Sequence, residues 1–265
     1  MSNFRNNIVL GTGGVKQKDL RYLLQYSYEI GYREFDTAYT YGNEREVGEV
    51  LRSYDDVEII TKLPGRAHGY HQTDSMIKQQ KYNLGGKTLD TYLIHWPLPR
   101  LNKYVYSWYA MIDAKNRGDV RQIGVSNFTI EMLEVLRTRT GVQPDVIQFE
   151  CHPWYSQAEL VDYCQKNLIK MYAWSPLRKA QGNILNDENI LNISRDLNLT
   201  PAATIIKWHL SRNVIPVVRS SSEVHLLENF LAANAEPMDL KRLTDITATC
   251  KEARRGGDPE SHEEF

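Results

Sequence analysis

A chain of 265 residues with 42% hydrophobic and 25% charged residues has the apolar material for one large core on an ordinary globular composition. A net charge of -1 without a basic run excludes nucleic acid or an anionic membrane held by bulk electrostatics. No apolar run is long enough for a bilayer, and three cysteines (Cys151, Cys164, Cys250) are odd in number and lack metal-ligand spacing, so a soluble, cytoplasmic protein without a disulfide framework or metal site is expected.

Apolar or β-branched runs at 8–10, 35–36 and 57–62 read as the first strands, the first two of them short. Between them, Leu20, Leu23, Leu24 and Ile30 recur at helical spacing and stop at Gly31, a helix terminator. Val47, Val50, Leu51 and Tyr54 follow Asn43, and Glu46 three residues on predicts a capping box. Strands at 91–95, 123–126 and 146–150 come next. Ser156 and Glu159 then repeat the capping-box spacing ahead of Leu160, Val161 and Cys164. A strand at 170–174 precedes Thr200-Pro201, a cap followed by proline at the first helical position, leading into Ile205, Ile206 and Trp208. The last strand falls at 214–218. From about Ala253 onward Gly256, Gly257, Pro259 and many charges predict a surface tail on a single domain spanning 1–265, with no linker or low-complexity tract.

Continuous apolar strands separated by amphipathic helices require a parallel sheet buried on both faces. Eight such units suggest an α/β chain closed into a (β/α)8 TIM barrel, with an open doubly wound sheet as the alternative. The polar residues decide between them. Asp36, Lys62, His95, Ser126, Asn127, Gln148, Glu150, Trp174 and Arg219 all lie near the C-terminal ends of predicted strands. A barrel gathers such ends around one mouth, whereas an open sheet spreads them along a line. Asp36, Tyr41, Lys62 and His95 would then meet as a carboxylate, phenol, ammonium and imidazole, a set suited to delivering a proton.

Ordered motifs sharpen this reading: Asp36-Thr37-Ala38 with Tyr41 and Asn43-Glu44, Ile60-Thr61-Lys62, Leu93-Ile94-His95-Trp96-Pro97 and Ile123-Gly124-Val125-Ser126-Asn127-Phe128. Gln148-Phe149-Glu150 with His152-Pro153, and Ser175-Pro176-Leu177, follow. Each is weak alone, but in this order the chain resembles the aldo-keto reductases, NAD(P)H-dependent carbonyl reductases on a (β/α)8 barrel, and most of all their compact microbial members. The resemblance runs from about Leu10 to the C-terminus. It implies a catalytic tetrad of Asp36, Tyr41, Lys62 and His95, with Tyr41 protonating the carbonyl oxygen as hydride leaves the nicotinamide. A free phenol has a pKa of roughly 10. An adjacent ammonium favours its ionised form, so Lys62 is expected to make Tyr41 a better acid while Asp36 holds the ammonium. His95 would donate a hydrogen bond to the developing oxyanion.

The same resemblance makes Ser126, Asn127 and Gln148 the grip on the nicotinamide carboxamide, whose one acceptor and two donors suit a hydroxyl and two amides. Trp174 would stack on the nicotinamide, Ser175 and Leu177 would lie along the pyrophosphate, and Glu228 and Asn229 would meet adenine. Gly11, Gly13 and Gly14 lack the third glycine of a Rossmann fingerprint, so a dinucleotide must bind across barrel loops. Arg219 and Ser220, with Ser221 and Ser222, precede a helical stretch and form a phosphate cradle. Arg219 stands where the family usually has lysine, and His225 where it usually has arginine. Arg219 still takes a phosphate bidentately, whereas neutral His225 cannot replace the charge. NADP(H) is therefore the preferred cofactor expected, with NAD(H) as the second option. Gly14-Val15 replaces a threonine and aromatic of many relatives, and the preceding hairpin reads as truncated.

Trp96 is expected to wall the substrate pocket, with Trp154 and Tyr155 as weaker candidates. An aromatic rim suits small aldehydes, ketones and dicarbonyls better than phosphorylated sugars. The stretch 178–186 and the C-terminal tail are the expected lids. Partners are then a small-molecule carbonyl or alcohol, with no nucleic acid or membrane, on a monomer or weak dimer. Two competing readings are a nucleotide-binding regulatory barrel with little turnover and an aldolase-type barrel using Lys62 as a Schiff base. The second needs a lysine of lowered pKa, which Asp36 opposes.

Overall fold

The computed structural model describes residues 7–86 and 88–264; the truncated hairpin expected before the first strand falls on residues 1–6 and lies outside them. Eight parallel strands close into one barrel in sequence order: β1 (Val9–Gly11), β2 (Glu34–Asp36), β3 (Glu58–Leu63), β4 (Leu89–Ile94), β5 (Val120–Ser126), β6 (Val146–Glu150), β7 (Lys170–Trp174) and β8 (Val214–Val218). Gly11 pairs with Asp36, Asp36 with Ile60, and Ser126 with Gln148, which brings the polar strand ends to one level. This is the (β/α)8 barrel expected, and the polar residues at strand ends identified it.

Helices wrap the strands: α1 (Gln17–Ile30), α2 (Glu44–Leu51), α3 (Tyr70–Asn83), α4 (Tyr104–Asn116), α5 (Ile130–Thr140), α6 (Ala158–Lys166), α7 (Glu188–Leu197), α8 (Pro201–Leu210), α9 (Glu223–Ala233) and α10 (Leu240–Thr247). Gly31 ends α1 at φ 118, a conformation costly for any residue with a Cβ. Thr200 caps α8 by accepting the Ala203 amide, as Thr-Pro predicts. Neither expected capping box forms. Asn43 gives no side-chain cap to α2 because its amide is spent on Thr12 and Thr37, and α6 starts after Gln157, leaving Ser156 outside it. No helix among the described residues is long and apolar enough to cross a membrane.

The main core lies between strands and helices, around side chains such as Phe35, Trp108, Ile147 and Trp208. A smaller cluster of Val9, Ile60, Leu93, Val146, Tyr172 and Val217 fills the barrel interior. Glu34, 0% exposed, closes the N-terminal end against Tyr172 and Lys170, the latter at 3.3 Å.

His68 is 3% exposed, and neither ring nitrogen has a hydrogen-bond partner. Burial pushes its pKa from 6.5 down to about 4, against weaker support from the Glu264 charge. The unfolded chain therefore binds this proton where the folded chain does not, and stability falls as pH drops through that window. The full effect is on the order of 3 kcal/mol. Urea midpoints measured across the window should fall on acidification, and His68→Leu should flatten that slope; an equal slope in the variant would assign the loss to other groups.

Candidate active site

After β2 the chain turns through Thr37 and Ala38 into a 3-10 turn, Tyr39–Tyr41. Asn43 fastens this turn to the first loop: its Nδ2 donates to the Thr12 carbonyl at 3.2 Å, and the Thr37 hydroxyl donates to its Oδ1 at 2.7 Å. The Tyr41 ring packs directly beneath Gly13, where a Cβ would come within 3.1 Å of it.

Lys62, on β3, donates to Asp36 Oδ2 at 2.6 Å, to the Thr37 carbonyl at 3.0 Å and to the Tyr41 hydroxyl at 3.4 Å. An ammonium has three protons, and these three contacts use them all. The Lys62 side chain is 0% exposed and that of Asp36 4%, so each charge depends on the other. His95, the first residue past β4, sets its ring edge-on to Tyr41 with centroids 6.1 Å apart. The four side chains of the expected tetrad thus meet at one level of the barrel.

Burial is the largest influence on Lys62 and pushes its pKa down, but the charges and hydrogen bonds of Asp36 and Tyr41 lift it above the ordinary lysine value. For Tyr41, burial pushes the phenol up, Lys62 pulls it back only in part, and Asp36 and Glu264 add to the rise. Lys62 acts on Tyr41 in the direction expected, lowering its pKa, but burial outweighs it and the net shift is upward. A phenolate there would lose more hydration than one ammonium, already shared with Asp36, returns.

Beside this group opens a cavity of about 810 Å³. It is lined near the tetrad by Asp36, Tyr41, His95, Trp96, Ser126, Asn127, Gln148, Trp174, Ser175 and Leu177, and further out by Arg219, Ser220, His225, Glu228 and Asn229. Of the residues expected in the tetrad and at the cofactor seat, all but Lys62, Ser221 and Ser222 line this one space, and Lys62 lies behind Asp36 and Tyr41. Asn127, at φ 63, is a clamp: its Nδ2 donates to the His95 carbonyl at 3.0 Å and to Ser126 Oγ at 3.1 Å, while its Oδ1 takes Trp174 Nε1 at 2.7 Å. Ser126 Oγ accepts from Asn127 and keeps its own proton to donate. At the outer end Arg219 donates to the Gly13 carbonyl at 2.7 Å, and the Ser220 hydroxyl accepts the Ser222 amide at 3.0 Å. The Glu228 carboxylate takes the Thr200 hydroxyl, tying α9 to the start of α8. Thr200, Pro201 and Ala202 therefore line the cavity too, although the sequence marked Thr200 only as a cap.

The residues beyond Ala253 run across the mouth. Glu150, at the end of β6, accepts the backbone amides of Arg255 and Gly256, each at 2.6 Å, and contacts His152 Nε2 at 3.0 Å. Gly256 lies so near Trp174 that a Cβ would come within 2.3 Å of the ring. Further on, the His262 ring lies 4.0 Å from Trp96, and the Glu264 carboxylate is 2.9 Å from His95 Nδ1, within ion-pair reach though not aligned as a hydrogen bond. Sequence reasoning gave Glu150 no role; it expected the C-terminal tail as a lid but singled out neither His262 nor Glu264 within it. A carboxylate ending an apolar strand was the only signal available. Trp154 and Tyr155, the weaker pocket candidates, do not line the cavity; Trp154 bonds Asp187 at 2.9 Å and Tyr155 accepts from Arg254 at 2.8 Å.

A model described as the Aldo/keto reductase family matches residues 7–250. The 2,5-diketo-D-gluconic acid reductase B of Corynebacterium sp. (strain SHS752001) is 34% identical over 245 residues, 89% of this chain and 86% of that protein. The methylglyoxal reductase DkgA of Yersinia pestis is 34% identical over 236 residues, covering 88% and 84%. The apoform crystal structure of Gox0644 matches with a TM-score of 0.92 at 34% identity, over 97% of this chain and 94% of that one. A Gox0644 variant in complex with NADPH gives the same score.

Proposed function

The chain belongs to the aldo/keto reductase family, whose members are NAD(P)H oxidoreductases acting on carbonyls, and from that premise we propose that it reduces small aldehydes, ketones or dicarbonyls to alcohols with NADPH as the preferred reductant. The observation that carries this reading is Lys62, whose protons go to Asp36, Thr37 and Tyr41 beside a cavity sized for a ligand.

Bound NADPH supplies the hydride. Ser126 and Gln148 would hold its carboxamide, Trp174 would cover the nicotinamide, Ser175 and Leu177 would follow the pyrophosphate, and Glu228 and Asn229 would meet adenine. Arg219, Ser220 and His225 converge on the outer end, where a phosphate beyond the second ribose would find a guanidinium and a hydroxyl. Arg219 favours NADPH over NADH, and His225 adds charge only when protonated. Tyr41 gives its proton to the carbonyl oxygen, His95 donates to the same oxygen, and the Lys62 ammonium stabilises the phenolate left behind. Burial keeps Tyr41 protonated, so the phenol is in the form that can give a proton. Trp96 walls the space next to His95. A raised pKa on Lys62 argues against Schiff-base chemistry, which needs the free amine.

The test is consumption of NADPH and NADH against a panel of aldehydes, ketones and α-dicarbonyls. Turnover with NADPH ahead of NADH is expected; binding of NADPH without consumption on any carbonyl would favour a regulatory barrel instead. The cofactor seat has its own check. NADPH should quench tryptophan fluorescence, and Trp174→Ala should remove most of that signal; an unchanged quench would move the nicotinamide elsewhere.

A further inference from the structure

Asp36 Oδ2 accepts two hydrogen bonds, from Lys62 Nζ at 2.6 Å and from Gln148 Nε2 at 2.8 Å. Gln148 stands on β6, well round the barrel from β2, so its amide reaches across the mouth to the carboxylate. Asp36 is 3% exposed and Gln148 2%, leaving water little room to compete for the contact. An ionised carboxylate only accepts, which decides how the amide faces: its NH₂ goes to Asp36 and its Oε1 is left for the cavity that Gln148 lines.

We infer that Gln148 is a positioning residue for proton delivery: besides bordering the cofactor seat, it holds Asp36 in the place from which Asp36 holds Lys62 against Tyr41. The inference rests on the reductase reading above and couples its two halves through one side-chain amide. Lys62 has no proton to spare, and its contact with Tyr41, at 3.4 Å, is the longest of its three. Removing the Gln148 donor leaves the charge on Asp36 less offset and draws Lys62 toward it, away from the phenol. Phenolate then becomes harder to form. The other groups facing Tyr41 are His95 beyond β4, Glu264 on the tail and Arg219, which reaches Gly13 above the ring; a change at position 148 leaves all three in place.

Gln148→Met keeps the length and removes the amide, while Ser126→Ala damages the cofactor seat and leaves the Gln148–Asp36–Lys62 contacts intact. Two readouts separate them: the pH profile of kcat at saturating NADPH, and the alkaline titration of Tyr41 by NMR of ¹³Cζ-tyrosine, assigned by its loss in Tyr41→Phe. Gln148→Met should lower kcat by about tenfold or more. It should also move the Tyr41 midpoint upward by about half a pH unit or more. Ser126→Ala should raise KM for NADPH and leave that midpoint in place. Gln148→Glu, the same shape with an added carboxylate, is the second variant should the methionine fold poorly, and it should move the midpoint further in the same direction. A Gln148→Met enzyme with only its NADPH KM altered and an unmoved Tyr41 midpoint would overturn the inference. The titration needs no turnover, so an inactive wild type would sink the reductase reading while Gln148 is still decided.

Discussion

Tyr41→Phe should lower carbonyl reduction by about 10²–10⁴-fold while NADPH affinity stays within a few-fold, the range typical of losing a well-placed general acid. The phenyl ring keeps its place under Gly13, so the change is confined to one hydroxyl and the proton it carries. Lys62 loses one of three acceptors and keeps Asp36 and Thr37, which preserves the pair behind the ring. Steady-state rates and fluorescence titration on the same preparation separate the two effects. Turnover near the wild-type level would mean that another group, Lys62 or His95, supplies the proton.

Lys62→Met carries the second large effect, and it falls on stability as well as rate. With Asp36 only 4% exposed at its side chain, removing the cation leaves a buried carboxylate supported by Gln148 alone. Breaking a buried pair by deleting one partner costs about 3–5 kcal/mol. Asp36→Asn added to Lys62→Met removes the stranded charge and should recover much of the loss. Urea midpoints for wild type, single and double variants test this. A double variant as weak as the single would show that the Asp36 charge is not its source.

The barrel was legible because seven of the eight apolar runs carry a polar residue or a tryptophan at or next to their C-terminal end, and only closure brings so many strand ends to one mouth. Tyr41 and Lys62 were legible for a related reason: a phenol and an ammonium next to apolar strands need partners, and Asp36 was the nearest carboxylate in the pattern. What the sequence hid is set by contacts with large separation along the chain. The bond between Gln148 and Asp36 spans residues on different strands, and nothing local to either marks it. The expected capping boxes failed on the same account. Asn43 fits a cap by spacing, yet it gains more by fastening Thr37 and Thr12 beside the site than by taking an exposed helix amide. Glycines, prolines and charges after Ala253 describe a surface segment correctly in composition, but composition could not place Glu264 against His95. The acidifying pull of Lys62 on Tyr41 was legible because a neighbouring charge is visible in sequence; that burial outweighs it was not, because depth of burial is not.

The decisive measurement is a crystal structure with NADP⁺ and an unreactive carbonyl analogue bound together. The expected result places the nicotinamide against Trp174 and the analogue's oxygen within hydrogen-bond distance of both the Tyr41 hydroxyl and the His95 ring. A nicotinamide seated away from Trp174, or an oxygen out of reach of Tyr41, would contradict it.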